Sequence, residues 1–341
     1  LAWSYFQQKK YEDAFIQFDE LSAESDTIGI KSFFWKGECK RYLNKLNEAN
    51  SIYKEFLEIY PNDKLAEEAK YQLGVVYFNT NNTDLAIRYL ISANSSDNDL
   101  IKAKSFAMLG EIELSKRDYK AAKNYFQLVL DNVNNEKSVY NRALLGIGIA
   151  EYHLNDNKGS LKHLTQLDKS DPSFETQKLN FFLAENYFTL NNYREALNRY
   201  NYSMGNDPEI NLETIYGKAY CYFNSGDYEN AAIQFLDFTK KYKDDKRYSD
   251  ARLRLADSYF GSKNYSAASK IYEDLFSSDA LLNINPYVRY QYAQALYKSG
   301  KTMDAINEFK NIQEKFPDSE YAEVSLFTIG WIYFQQRNYS Q

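Results

Sequence analysis

The sequence predicts an all-α protein, an α–α superhelix of about nine helical hairpins, and three observations carry that expectation. Gly 13 and Pro 5 make only 18 of 341 residues, too few for the turn every ~8–12 residues that sandwiches and barrels need. A small residue recurs along the whole chain at a near-constant interval, at Ala2, Gly37, Gly74, Gly110, Gly148, Ala184, Ala219, Ala256, Ala293 and Gly330. Each of the first nine anchors is followed by a second small residue and then a large apolar one, always at the same offsets, as in Gly74, Ala86 and Leu90. Repetition at this period signals stacked supersecondary units, each burying its apolar face against the next.

The elements follow in order from that template. The anchors lie on a first helix, A, where a second helix, B, crosses it. Helix B carries Ala14, Ala49, Ala86, Ala122, Ser160, Ala196, Ala231, Ala268 and Ala305 at the crossing. Small side chains there let the axes approach to ~8–10 Å. The large residues Phe18, Tyr53, Leu90, Phe126, Leu164, Tyr200, Phe235, Tyr272 and Phe309 fill the space beside them. Short polar turns such as Leu190–Tyr193 and Asn224–Tyr228 join A to B, and the aromatic that closes each turn (Tyr11, Tyr119, Tyr193, Tyr228, Tyr265, Tyr339) is expected to wedge between the helices. Pro61, Pro172, Pro208 and Pro317 share one offset from their anchors, at the point where helix B is expected to stop. Pro286 falls at the start of a helix A, where its missing N–H costs nothing.

This pattern resembles the tetratricopeptide repeat (TPR), whose consensus has small residues at positions 8 and 20, aromatics at 11, 17 and 24, and proline at 32. The resemblance covers the whole chain and implies a TPR solenoid. Two departures stand out. The repeats here are longer than the consensus, which extends the linker after helix B. Position 27, small in the consensus, is large at Leu21, Phe56, Val129, Leu167, Phe238, Leu275 and Ile312. Both features, with the segments at 60–74 and 316–330, look like the TPR arrays of bacterial cell-envelope proteins, the outer-membrane assembly lipoproteins and Tol–Pal-associated periplasmic proteins. That narrower likeness implies the periplasm or the periplasmic face of the outer membrane, with the cytoplasm as the alternative. The regular interval implies a single continuous array over 1–341. Leu1 enters at position 7 and Gln341 leaves at position 19, so the chain is expected to be a segment of a longer protein.

Composition narrows the function. With 44% apolar residues there is material for a packed core, and no run of 18 apolar residues suggests a membrane span. The net charge of −6, with charges well mixed, argues against nucleic-acid binding. Gly300-Lys301-Thr302 lacks the earlier glycine and the preceding strand of a P-loop, and reads as a turn between repeat helices. Gly146-Ile147-Gly148 lacks the third glycine of a dinucleotide fingerprint. His153 and His163 are the only histidines, and Cys39 and Cys221 share repeat position 10, five repeats apart, as packing residues. Position 6 never holds Asn, so the carboxylate clamp of some TPR domains is not expected. No catalytic, cofactor or metal site is expected.

A binding surface is expected on helix A. Positions 5 and 12 are two turns apart along one face. They supply the candidates Tyr71, Phe78, Tyr152, Phe181, Phe188, Tyr216, Phe223, Phe260, Tyr290 and Tyr297. Either these rings pack helix A against the next helix A, or they form an aromatic ladder that grips a segment of a partner. Position 2 adds Lys104, Arg142 and Lys178, with Glu213 and Asp250 later, for a groove with a basic middle and an acidic distal part. The expected function is a non-catalytic scaffold for one or more proteins or peptides, in assembly or maintenance of an envelope complex. The alternative is a regulatory or substrate-docking array of an enzyme whose catalytic domain lies elsewhere.

Overall fold

The computed structural model describes residues 1–132, 136–278 and 285–341, and its contacts group into two compact units, Leu1–Phe174 and Glu175–Gln341. Among the described residues there are nineteen helices and no strand. In the first unit, helices A are α1 (Ala2–Gln7), α3 (Thr27–Tyr42), α5 (Ala66–Asn79), α7 (Asp99–Ser115) and α9 (Lys137–His153). They alternate with helices B: α2 (Tyr11–Leu21), α4 (Leu46–Ile59), α6 (Thr83–Ala93), α8 (Tyr119–Asn132) and α10 (Asn157–Ser170). In the second unit, helices A are α11 (Thr176–Thr189), α13 (Pro208–Asn224), α15 (Tyr248–Gly261), α17 (Pro286–Lys298) and α19 (Glu320–Gln335). Its helices B are α12 (Tyr193–Tyr200), α14 (Tyr228–Lys241), α16 (Tyr265–Ser278) and α18 (Thr302–Lys315). Within each unit every helix packs on its sequence neighbours, and consecutive helices A also meet: α5 touches α7, α7 touches α9, and α11 touches α13.

Every A–B turn is built the same way. Position 15 has positive φ in each repeat: Lys9, Asn44, Asn81, Arg117, Asn155, Asn191, Gly226, Lys263, Gly300 and Arg337. The next N–H then bonds back across the turn, as in Asn82 N to Tyr77 O at 2.8 Å and Lys301 N to Leu296 O at 2.9 Å. This satisfies helix A's last carbonyls while the chain reverses. Asparagine and glycine tolerate this left-handed backbone; lysine and arginine adopt it at a cost of about 1–2 kcal/mol. The Gly-Lys-Thr segment is one of these turns, with Gly300 at φ +88°.

The anchors face the large residue of their own helix B. A Cβ on Gly74 would stand 2.6 Å from Leu90, on Gly110 2.8 Å from Phe126, and on Gly148 2.6 Å from Leu164. The same large residue also meets the next helix A: a Cβ on Gly146 would stand 2.3 Å from the Phe126 ring, and on Gly217 2.4 Å from the Tyr200 hydroxyl. Phe126 and Tyr200 are thus each clasped between two consecutive helices A of their own unit. Every position 24 from Tyr53 onward (Tyr53, Leu90, Phe126, Leu164, Tyr200, Phe235, Tyr272 and Phe309) is fully buried. Position 27 adds Phe56, Val129, Leu167, Phe238, Leu275 and Ile312 to the buried residues, which accounts for their size, whereas Leu21 in the first hairpin is exposed.

One proline departs from expectation. Pro61, Pro172 and Pro317 follow the ends of α4, α10 and α18, but Pro208 is the first residue of α13. Helix α12 stops early, at Tyr200, and Asp207 caps α13 by accepting from the N–H groups of Glu209 and Ile210. Pro208 therefore sits beside Asp207 as Pro286 sits beside its cap, Asn285.

A buried ion cluster ties three helices of the first unit. Glu151 on α9 accepts from Lys123 Nζ on α8 at 2.8 Å and lies 2.7 Å from Nδ1 of His163 on α10. Burial alone would raise this carboxyl, but the bonds from His163 and Lys123 outweigh it and hold it below its ordinary 4.5. A depressed folded pKa adds stability above the unfolded value and loses it as pH falls through the folded one. Stability of the first unit is therefore expected to fall as pH drops below 4.5. Glu151→Gln should flatten that part of a urea-midpoint profile against pH; an unchanged slope would show that the cluster does not couple to folding.

Candidate protein-binding face

Positions 5 and 12, alike in sequence, part company in the fold. Position 5 points into its own hairpin: Phe34 packs on Phe56 of α4, Tyr216 on Phe238 of α14, and Tyr290 on Phe309 of α18, with ring centroids 6.0, 5.2 and 5.7 Å apart. Tyr71, expected on the face, belongs to the core at 7% exposure, while Phe181, Tyr216 and Tyr290 keep one edge half-buried. Position 12 lies nearer the turn and is half-buried at Phe78, Tyr152, Phe188, Phe223, Phe260 and Tyr297. In α19 both positions are exposed, Phe327 at 75% and Phe334 at 59%.

The half-exposure of position 12 has a recurring cause. Its ring meets edge-on the tyrosine that opens helix B: Phe188 with Tyr193 at 5.7 Å, Phe223 with Tyr228 at 5.5 Å, and Phe260 with Tyr265 at 5.3 Å. Phe6 with Tyr11 and Phe334 with Tyr339 repeat the pair at 5.3 and 5.9 Å. These tyrosines are the wedges read from the turns. Each packs against a position-12 ring and helps fix its orientation.

The charges expected in the groove are engaged. Lys104 Nζ lies 3.2 Å from Glu68 Oε1 and 5.7 Å from the Tyr71 ring. Arg142 bonds both oxygens of Glu111, at 2.9 and 2.6 Å, and Lys178 stands 4.0 Å from Glu175. In the second unit the hydroxyls of Tyr216 and Tyr220 both donate to Asp250 Oδ2, the latter at 2.6 Å. Burial, reinforced by the Asp250 bond, raises the Tyr216 phenol well above its ordinary value and pushes Tyr220 up to about 12. Both cysteines are buried, and burial pushes their thiols up to about 12, far from a nucleophile's range.

A second regularity lies outside the sequence expectations. Wherever position 24 is tyrosine, position 9 of the same repeat is acidic and accepts its hydroxyl: Tyr53 to Glu38, Tyr200 to Glu185, and Tyr272 to Asp257, the last at 2.6 Å. The signal was present as a Tyr paired with an Asp or Glu one hairpin crossing upstream. Among the described residues no group of three or more His, Cys, Asp or Glu is placed to hold a metal ion, and no helix is long and apolar enough to cross a membrane.

Two tetratricopeptide-repeat family models match the sequence, one over residues 31–63, 213–245 and 287–319, the other over 67–100 and 103–132. The chain carries tetratricopeptide repeats. No curated protein matches the sequence. Similar solved structures include PilF of Pseudomonas aeruginosa, with TM-score 0.53 and 15% identity over 69% of this chain and 97% of that one. A signal transduction ATPase with a TPR sensor, from Pyrococcus horikoshii, has TM-score 0.53 and 13% identity over 95% of this chain and 55% of that one. The C-terminal part of a TPR protein from Cytophaga hutchinsonii has TM-score 0.51 and 15% identity over 73% and 97%. At these identities the likeness is one of fold. TPR arrays are protein–protein interaction scaffolds.

Proposed function

We propose that the chain is a non-catalytic scaffold that captures segments of partner proteins on its helix A face, through the position-12 rings. The observation that carries this is the row of position-12 rings that stay half-buried rather than in the core, Phe188, Phe260 and Tyr297, with Phe188 and Phe260 each braced by the tyrosine that opens helix B. Aromatic anchors of this kind supply much of the energy at protein interfaces. The finer reading, a role in assembly or maintenance of a bacterial cell-envelope complex, is supported by the likeness of 60–74 and 316–330 to envelope TPR arrays.

Phe188 and Phe260 serve best as probes, because Phe223 is also clasped by Tyr220, Phe235 and Arg254. A photo-reactive benzoylphenylalanine at position 188 or 260 should cross-link a discrete partner in cells. The same label at Ile233, 60% exposed on helix B, should not. In the unlabelled chain, Phe188→Ala with Phe260→Ala should weaken the affinity for that partner at least tenfold at unchanged helicity, about 1.4 kcal/mol or more of binding. Equal cross-linking from Ile233 would move the binding face elsewhere.

A further inference from the structure

In two repeats the position-6 side chain of a helix A meets the position-12 ring of the helix A before it. In the first unit Trp35 stands edge-on to Phe6, with ring centroids 5.1 Å apart. In the second unit the Arg254 guanidinium lies 5.7 Å from the centroid of Phe223. For Phe188 the corresponding residue is Gly217, so no side chain rises from position 6 to meet the ring. Packing requires that glycine, since a Cβ would stand 2.4 Å from the Tyr200 hydroxyl.

A cleft of about 410 Å³ opens in that place, between α11 and α13. Its walls are largely rings: Phe188 from α11, Tyr216 and Tyr220 from α13, and the buried Tyr200 of α12. Each ring has a partner that helps fix its orientation. Tyr193 packs against Phe188, Asp250 accepts the hydroxyls of Tyr216 and Tyr220, and Glu185 accepts that of Tyr200. The two carboxylates of the lining are both engaged, Glu185 by that hydroxyl and Glu213 by Arg247 Nη1 at 2.6 Å. The cleft therefore offers ring surface rather than a spare charge.

We propose that this cleft receives an aromatic side chain from a partner's peptide segment, standing to Phe188 as Trp35 stands to Phe6. The inference rests on the reading that the helix A face binds peptide segments, and it names the anchor that one part of that face selects. A ring is favoured over an aliphatic chain because ring edges meeting ring faces add attraction beyond the area buried. A ring is favoured over a cation because both carboxylates already have partners, and a charge brought into the cleft would lose water without gaining a free counter-charge.

Random peptides displayed on phage and selected on the full chain, then measured by fluorescence anisotropy, test this. Selected peptides that lose affinity with Phe188→Ala should share a tryptophan, tyrosine or phenylalanine at one position. Leucine in its place should weaken binding about tenfold or more, and arginine should restore none of the loss. A photo-reactive benzoylphenylalanine at that position should cross-link to α11, α12 or α13, which locates the anchor without any substitution in the chain. Phe188-dependent peptides that share no aromatic position, that bind equally well with leucine or arginine there, or that cross-link outside these three helices overturn the cleft assignment while the binding face stands. A selection that yields no binder, or only peptides indifferent to both Phe188→Ala and Phe260→Ala, overturns both.

Discussion

Phe126→Ala is expected to destabilise the first unit by about 3–5 kcal/mol, the range for emptying an aromatic site in a closed core. Phe126 is fully buried and clasped between two glycines: a Cβ on Gly110 would stand 2.8 Å from its ring, and one on Gly146 2.3 Å. Neither helix A can close the gap without dragging its neighbours. A double-mutant cycle makes the clasp itself measurable. Gly146→Ala alone pushes a methyl into the ring and should cost about 1–3 kcal/mol. Phe126→Leu alone leaves a void and should cost on the order of 1 kcal/mol. Together the methyl occupies part of the void, so the double variant should be more stable than the sum by about 0.5–3 kcal/mol. Urea unfolding followed by circular dichroism reads all three; additive losses would mean that the ring does not transmit packing between the two helices.

Asp257→Leu should cost about 3–5 kcal/mol in the second unit, because it strands a fully buried hydroxyl and a half-buried guanidinium at once. The Tyr272 hydroxyl loses the acceptor it reaches at 2.6 Å, and the Arg254 guanidinium loses its 2.5 Å partner and keeps only Asp250 at 3.6 Å. Tyr272→Phe removes the hydroxyl instead and should cost about 1–3 kcal/mol, since the carboxylate retains Arg254. In the double variant the stranded hydroxyl no longer exists, so its loss should fall short of the sum in thermal or urea unfolding. Full additivity would show that the short contact carries no coupling energy.

Much of the fold was legible because hairpin packing leaves a three-point mark. A small residue at Gly110, another at Ala122 and a large one at Phe126 are what two close helices require. The turn was half hidden. Asn and Gly advertise the left-handed residue at Asn44, Asn191 and Gly226, but Lys9, Arg117, Lys263 and Arg337 adopt it without any compositional sign, held by the bond across the turn. Pro208 misled because spacing from an anchor tells where a helix B usually ends, not that α12 stops at Tyr200. At the candidate face, Tyr71 and Phe78 look equivalent, two turns apart on one helix. Their exposure is decided by helix B, which lies over position 5 and is only beginning at position 12, and that is a property of the crossing.

The double clasp on Phe126 and Tyr200 bears on how the chain comes to be folded. A side chain such as Phe126 completes its contacts only when the following helix A has docked, so an isolated hairpin leaves its largest ring half wet. Structure within a unit should then spread outward from any pair of adjacent repeats, each new helix A sealing the ring left by its predecessor. Partners lie close in sequence, so little loop entropy opposes each step and growth should be fast. Opening should run the other way, from the end helices inward, one sealed ring at a time.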